Sequence, residues 1–228
     1  MPHPPAATPR WLRPSIQRLQ AQKYSLTLGI ILLAHVGLAG VDARHAVVVA
    51  PVVTLTLYFL GFILLRDHSR LARAILLTGA GALGLSAVEV LVGGKSWLAA
   101  ALAGHALFLL LVIVFMLGRV FREKKVTLDQ IMAGIIIYLL MVGLWAQFYG
   151  LTLLADPGAI STASGSFGDR PFLTIYYFSV ITLTTAGFGD IVPVSDTARI
   201  LAAYEALVGQ VYLVVFIALL LGRHFADR

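Results

Sequence analysis

Between Ile181 and Asp190 the chain reads ITLTTAGFGD. Thr182, Thr184 and Thr185, with Thr174 just upstream, share this otherwise apolar neighbourhood with two glycines, and the block stops on an acid. Residues of these types suit one kind of chemistry, the holding of a dehydrated cation by oxygen. An ion that leaves water must find substitute oxygens, and backbone carbonyls supply them when successive carbonyls face the same way. That arrangement requires unusual dihedrals at alternate residues, which glycine adopts at little cost. Gly187 and Gly189 have the required spacing, and Thr185 adds a side-chain hydroxyl. The competing reading is a glycine-rich re-entrant turn with no ion path.

A block of this kind needs a water-excluding scaffold, and the composition supplies one. Of 228 residues 59% are hydrophobic and 12% charged, with a mean hydropathy of +0.90. Apolar runs of that density read as membrane-spanning helices. The absence of cysteine excludes disulfides and thiolate-ligated metals. No His/Asp/Glu set has metal-ligand spacing and no nucleophile–base pair is evident, so an enzyme is not expected. The net charge of +6 matters less than where the charges fall, and it is not read as a nucleic-acid signal.

Six candidate spans follow: segment 1 from Tyr24 to Gly40, segment 2 from Ala46 to Leu65, segment 3 from Leu71 to Val92, segment 4 from Trp97 to Gly118, segment 5 from Leu128 to Leu154, and a last one from Arg199 to Gly222. Of the 17 Lys and Arg, only Arg44, Lys95, Arg170 and Arg199 fall on one side of this arrangement. The excess on the other side puts both termini in the cytoplasm, which an even number of spans allows. The domain reading is a cytoplasmic tail over 1–23, a four-helix sensor-like unit over 24–120, a linker over 121–127, a pore unit over 128–222 and a tail over 223–228. The proline-rich start is expected to be an uncleaved, disordered tail up to about Trp11. Trp11, Leu12, Ile16 and Leu19 with interleaved arginines form either a surface-lying helix or a plain basic tail.

Residues 155–198 are too polar and too broken to span. ADPGAISTASGSFGDR reads as a loop. Asp169, Arg170 and Pro171 then mark a helix start. The helix that follows, PFLTIYYFSVITLTT, is expected to run for about 14 residues, roughly 20 Å. That falls short of a hydrocarbon core of about 30 Å, so the helix enters and stops. Irregular backbone at that depth is tolerated only where protein buries it or where it lines a water-filled cavity.

Thr185-Ala186-Gly187-Phe188-Gly189-Asp190, within YYFSVITLTTAGFGDIVP, resembles the signature of the potassium-channel superfamily. The resemblance covers roughly Leu128 to Gly222. It implies an all-α membrane protein of six transmembrane helices, with a re-entrant pore helix and a selectivity filter between the last two, assembled as a fourfold homotetramer. By the same resemblance, potassium ions are held by the carbonyls of Thr185, Ala186, Gly187 and Phe188 and by the Thr185 hydroxyl. Gly189 completes the filter, Thr184, Tyr177 and Asp190 support it, and no organic cofactor is implied. The negative end of the pore-helix dipole favours a cation at its C-terminus. Three positions depart from the common pattern. Ala186 stands where valine is usual, Phe188 replaces tyrosine, and Ile181 occupies the place of a glutamate found in some channels. A less rigid filter follows, so a weakly selective monovalent cation channel stays open as the second reading. A potassium-uptake transporter subunit is a third, disfavoured because only one filter-like loop and no repeat is found.

Segment 4 carries no arginine before Arg119, so strong voltage gating is not expected. His35, Glu89 and His105 form either a polar, proton-sensitive cluster or separately satisfied side chains. In the last span Gly209 is a hinge or a close-packing site, and Ile217, Leu221 and Phe225 recur at the spacing of a hydrophobic gate. Glu205 and Gln210 are unusual inside a span. They face the back of the pore helix or a neighbouring subunit, or Glu205 attracts cations. Arg119, Arg122, Lys124 and Lys125 set topology or bind anionic lipid. With few residues after the last span, no cytoplasmic regulatory domain is expected, and the compact chain suggests a prokaryotic plasma membrane.

Overall fold

A computed structural model describes residues 24, 27–29, 70–122, 127–168 and 170–226. The N-terminal tail, segment 2, nearly all of segment 1, His35, Lys124, Lys125 and Asp169 lie outside these residues, as do the side chains of Leu221 and Phe225. In chain order the described elements are α1 (Arg70–Val92), α2 (Lys95–Arg122), α3 (Leu128–Ala155), β1 (Ile160–Thr162), α4 (Pro171–Leu183), β2 (Ile191–Pro193) and α5 (Asp196–Ala226). Among them four helices, α1, α2, α3 and α5, are long and apolar enough to cross a membrane, while α4 is apolar but short. The protein is thus a mostly helical membrane protein. Segments 3 to 5 and the last span each appear as one helix. α2 continues to Arg122, into the expected linker, and α5 starts three residues earlier than Arg199, at Asp196.

α1 and α2 form a hairpin that only glycine permits. Gly93 and Gly94 have φ of +70° and +103°, the left-handed region that side chains with a Cβ avoid. The Gly93 amide closes α1 by donating to the Glu89 carbonyl at 2.8 Å. Further along, a Cβ on Gly104 would lie 3.2 Å from that of Ala82, so small residues set the approach of the two helices. α3 begins with a reciprocal cap. The Thr127 hydroxyl accepts from the Gln130 amide, and the Gln130 side chain accepts from the Thr127 amide.

α3 is the central helix, the most buried of the four candidate spans, and α5 is the least buried. Its inner half packs Ile136, Ile137, Leu140 and Met141 against Phe108, Val112, Ile113 and Met116 of α2, with Leu183 of α4 in the same core. A second, smaller core surrounds Tyr149, Phe178, Ile160, Ile191 and Ala198. Tyr149 meets Phe178 edge-on at 4.8 Å between centroids.

The segment expected to be a plain loop contains a strand. β1 pairs antiparallel with β2, with Ser161 opposite Val192. The Ala163 amide donates to the Asp190 carbonyl at 2.7 Å and the Val194 amide to Ala159 at 2.8 Å. Three residues amid Gly and Ser give too short an alternation to read as a strand.

Two devices fix α5 to the rest. The Arg223 guanidinium donates to the carbonyls of Val120 (2.9 Å) and Phe121 (2.8 Å) at the end of α2, groups that have no partner within their own helix. Nearer the middle, Tyr138, Tyr212 and Phe216 stack, with centroids 5.8 and 5.6 Å apart. The Tyr212 hydroxyl donates to the Gly134 carbonyl at 2.8 Å. A Cβ on Gly134 would enter the Phe216 ring. Gly134→Ala is therefore expected to destabilise the protein by about 1–3 kcal/mol, the usual cost of overpacking. Adding Phe216→Leu to the same chain should recover part of that loss in thermal denaturation in detergent.

Candidate ion-conduction site

The site is built on a helix that stops early. α4 spans 13 residues, about 20 Å, and starts with Pro171 in its first turn, where a missing amide costs nothing. Its last turn is closed by hydroxyls as well as amides. The Thr184 hydroxyl donates to Val180 O at 2.7 Å and the Thr182 hydroxyl to Phe178 O at 2.8 Å. The Tyr138 hydroxyl of α3 reaches the Leu183 carbonyl at 3.1 Å. A carbonyl at the end of a helix is thereby satisfied by a neighbouring element.

Beyond Leu183 the backbone alternates. Thr185, Gly187 and Gly189 have φ of +58°, +51° and +79°, whereas Thr184, Ala186, Phe188 and Asp190 do not enter the positive region. Glycine takes such angles freely. For Thr185, β-branched and the only non-glycine with positive φ among the described residues, the conformation is strained. Two hydrogen bonds hold it. Its amide donates to Thr182 O at 2.9 Å, and its hydroxyl accepts from the Gln210 side-chain amide of α5 at 3.2 Å. The Gly187 amide turns back to Ile181 O at 3.1 Å. Ile181 thus supports the block through its main chain, while its side chain is buried in the smaller core.

At the far end the Tyr177 phenol pairs with the Asp190 carboxylate, and the β1–β2 ladder follows at once. Residues 184–190 are all exposed in the single chain, Phe188 at 73%. The block therefore forms one open face of the single chain.

Behind the block lie the two polar residues of the last span. Glu205 is fully buried. Its two carboxyl oxygens lie 2.5 Å from the hydroxyls of Ser179 in α4 and Tyr149 in α3. It faces the back of α4, away from the exposed block. Ser179 and Tyr149 were not singled out from the sequence; a hydroxyl in an apolar helix was their only signal. Gln210 is exposed and touches Thr185. Gly209 packs directly on the Leu183 carbonyl, which a Cβ at that position would strike, giving this glycine a packing role. Ile217 is exposed. His105 directs Nδ1 to the Ala101 carbonyl of its own helix at 2.8 Å, and Glu89 sits in the last turn of α1. His35, the third member of the possible polar cluster, lies outside the described residues. Arg119 and Arg122 end α2, with Arg119 6.0 Å from the Phe115 ring centroid.

Residues 133–223 match a family described as Ion channel. The chain is 35% identical over 79 residues to Two pore potassium channel a of Oryza sativa subsp. japonica, covering 34% of this chain and 22% of the rice protein. It is 41% identical over 56 residues to Voltage-gated potassium channel Kch of Escherichia coli (strain K12), covering 24% of this chain and 13% of that protein. The aligned stretches span about a fifth or less of these curated relatives. No solved structure matches. The family match takes in most of α3, all of α4 and the TAGFGD block, and most of α5, and over parts of its length the chain is similar to potassium channels.

Proposed function

We propose that this chain forms a tetrameric channel that conducts potassium passively through a filter made by Thr185, Ala186, Gly187, Phe188 and Gly189. The observation that carries this reading is the run of left-handed dihedrals at Thr185, Gly187 and Gly189, directly after a short apolar helix. Such alternation is what a file of inward carbonyls requires. α4 acts as the re-entrant pore helix, its negative end favouring a cation. Assembly is supported by the apolar surface that α5 leaves open, with Ile200, Leu207 and Val214 each more than half exposed. Closed cyclic symmetry lets each copy add an equivalent wall. Gly209 and Ile217, with Leu221 and Phe225, are the proposed hinge and gate, in a plasma membrane with both termini cytoplasmic.

A second reading, weak selectivity among monovalent cations, is favoured by one observation. Phe188 has no hydroxyl and is largely exposed, so it brings no hydrogen bond to the wall behind the filter. Bi-ionic reversal potentials of the purified protein in planar bilayers separate the two. A reversal near the potassium equilibrium value is expected, whereas a reversal near zero with clear current would leave the pore and remove the selectivity.

Three further outcomes follow. Gly187→Ala and Gly189→Ala place a Cβ in the left-handed region at about 1–2 kcal/mol each, and selective flux from liposomes should be lost. Gln210→Leu removes the bond that holds Thr185, worth about 1 kcal/mol; the potassium-over-sodium permeability ratio should fall several-fold while the tetramer persists. α2 carries Lys or Arg only at Lys95, Arg119 and Arg122. Open probability should therefore respond to voltage less steeply than one charge per subunit crossing the field, about 2.3 kcal/mol per 100 mV.

A further inference from the structure

Glu205 has no exposed surface even in the single chain, so neither water nor a neighbouring subunit reaches it. Among the described residues no cationic side chain is paired with it. Among the described residues the only salt bridge joins Arg199 to Asp196. The titratable groups facing Glu205, Tyr149 and Tyr138 of α3, are phenols. An ionised carboxylate in such a place is very costly.

The hydrogen-bond geometry accommodates a proton on the carboxyl group. Ser179 Oγ lies 2.5 Å from Glu205 Oε1 and 2.9 Å from the Val142 carbonyl oxygen. A serine hydroxyl has one hydrogen to give, and the carbonyl has none. If Ser179 donates to Val142, the hydrogen between Ser179 and Glu205 must come from Glu205. Tyr149 donates to the other carboxyl oxygen, at 2.5 Å.

We propose that Glu205 is held as the neutral acid and acts as a positioning residue for the pore helix. Its hydroxyl donates to Ser179, Ser179 donates to Val142, and Tyr149 donates to the Glu205 carbonyl oxygen. Each donor then has an acceptor and no charge is buried. A neutral carboxyl offers one donor and one acceptor in a fixed fork, and this links α3, α4 and α5 at one point. It does not draw cations into the pore. Glutamine reproduces the same donor and acceptor, whereas aspartate is one methylene too short and alanine supplies neither.

The functional part of this role rests on the pore reading, but the proton on Glu205 does not. Infrared spectra of the full-length protein in lipid test the proton directly. The wild type should show the carbonyl stretch of a protonated carboxylic acid, absent from Glu205→Gln. Tyr149→Phe should move that band to higher frequency, because a hydrogen bond to the carbonyl is lost. This second variant keeps the test decisive if the glutamine protein does not fold. A spectrum without such a band, or one unchanged in Tyr149→Phe, overturns the assignment. For positioning, potassium flux and the potassium-over-sodium ratio should match wild type in Glu205→Gln. Both should fall by about tenfold in Glu205→Ala, the effect of leaving buried hydroxyls without partners. A glutamine variant as impaired as the alanine variant overturns the neutral-acid role. A wild type that shows the band but passes no potassium would overturn the pore reading and leave the neutral acid standing.

Discussion

A helix that ends inside an apolar protein leaves amides and carbonyls with no water to turn to, and the architecture around α4 answers that constraint. The Leu183 carbonyl takes the Tyr138 hydroxyl of α3. The amides of Thr184, Thr185 and Gly187 bond back to Val180, Thr182 and Ile181. Asp190 accepts from Ala163 as the chain leaves, and the β1–β2 ladder continues the pairing. Every neighbour of α4 contributes to this accounting, so the irregular block is specified by its surroundings as much as by its own glycines. That is how a β-branched threonine persists at φ +58°, strain that a structure retains only where it is over-determined.

Among the described residues few polar side chains are buried. Ser179 and Glu205 are buried among helices whose other contacts are mostly aliphatic or aromatic. Packing among apolar helices in lipid is weakly directional, because lipid tails are as apolar as leucine. Hydrogen bonds with one correct geometry supply the register that such packing lacks. The Glu205 fork fixes where α4 sits along α3 and α5, the aromatic stack of Tyr138, Tyr212 and Phe216 sets the separation of α3 and α5, and Arg223 ties α5 to the end of α2.

Much of this was legible in the sequence, for reasons of chemistry at short range. Hydropathy reports burial in lipid one segment at a time, so α1, α2, α3 and α5 were visible, and Leu128 was the right start for α3. Pro171 marked the start of α4, and its limited length followed from where the glycines begin. Gly187 and Gly189 announced unusual backbone because glycine has few other reasons to alternate. Features that depend on distant residues were hidden. Thr185 gives no hint of a positive φ, since its residue type argues against one. Glu205 and Gln210 stood out as polar, but their partners lie at separations such as 26, 56 and 25 residues, which no periodicity encodes. β1 was missed because three residues are too few to show a pattern.

The contact between Gly209 and the Leu183 carbonyl carries a mechanical consequence. α5 rests on the end of α4 at the residue best able to flex, with Glu205 four positions before it and Gln210 one position after it. The three form a fulcrum with an attachment on either arm. A rotation of the C-terminal arm of α5 about Gly209 would displace Gln210, and with it the strained Thr185, whereas the Glu205 arm is tied to α3 and α4. A displacement near Arg223 is thus passed along one arm of α5, without change of sense, to the strained backbone at Thr185.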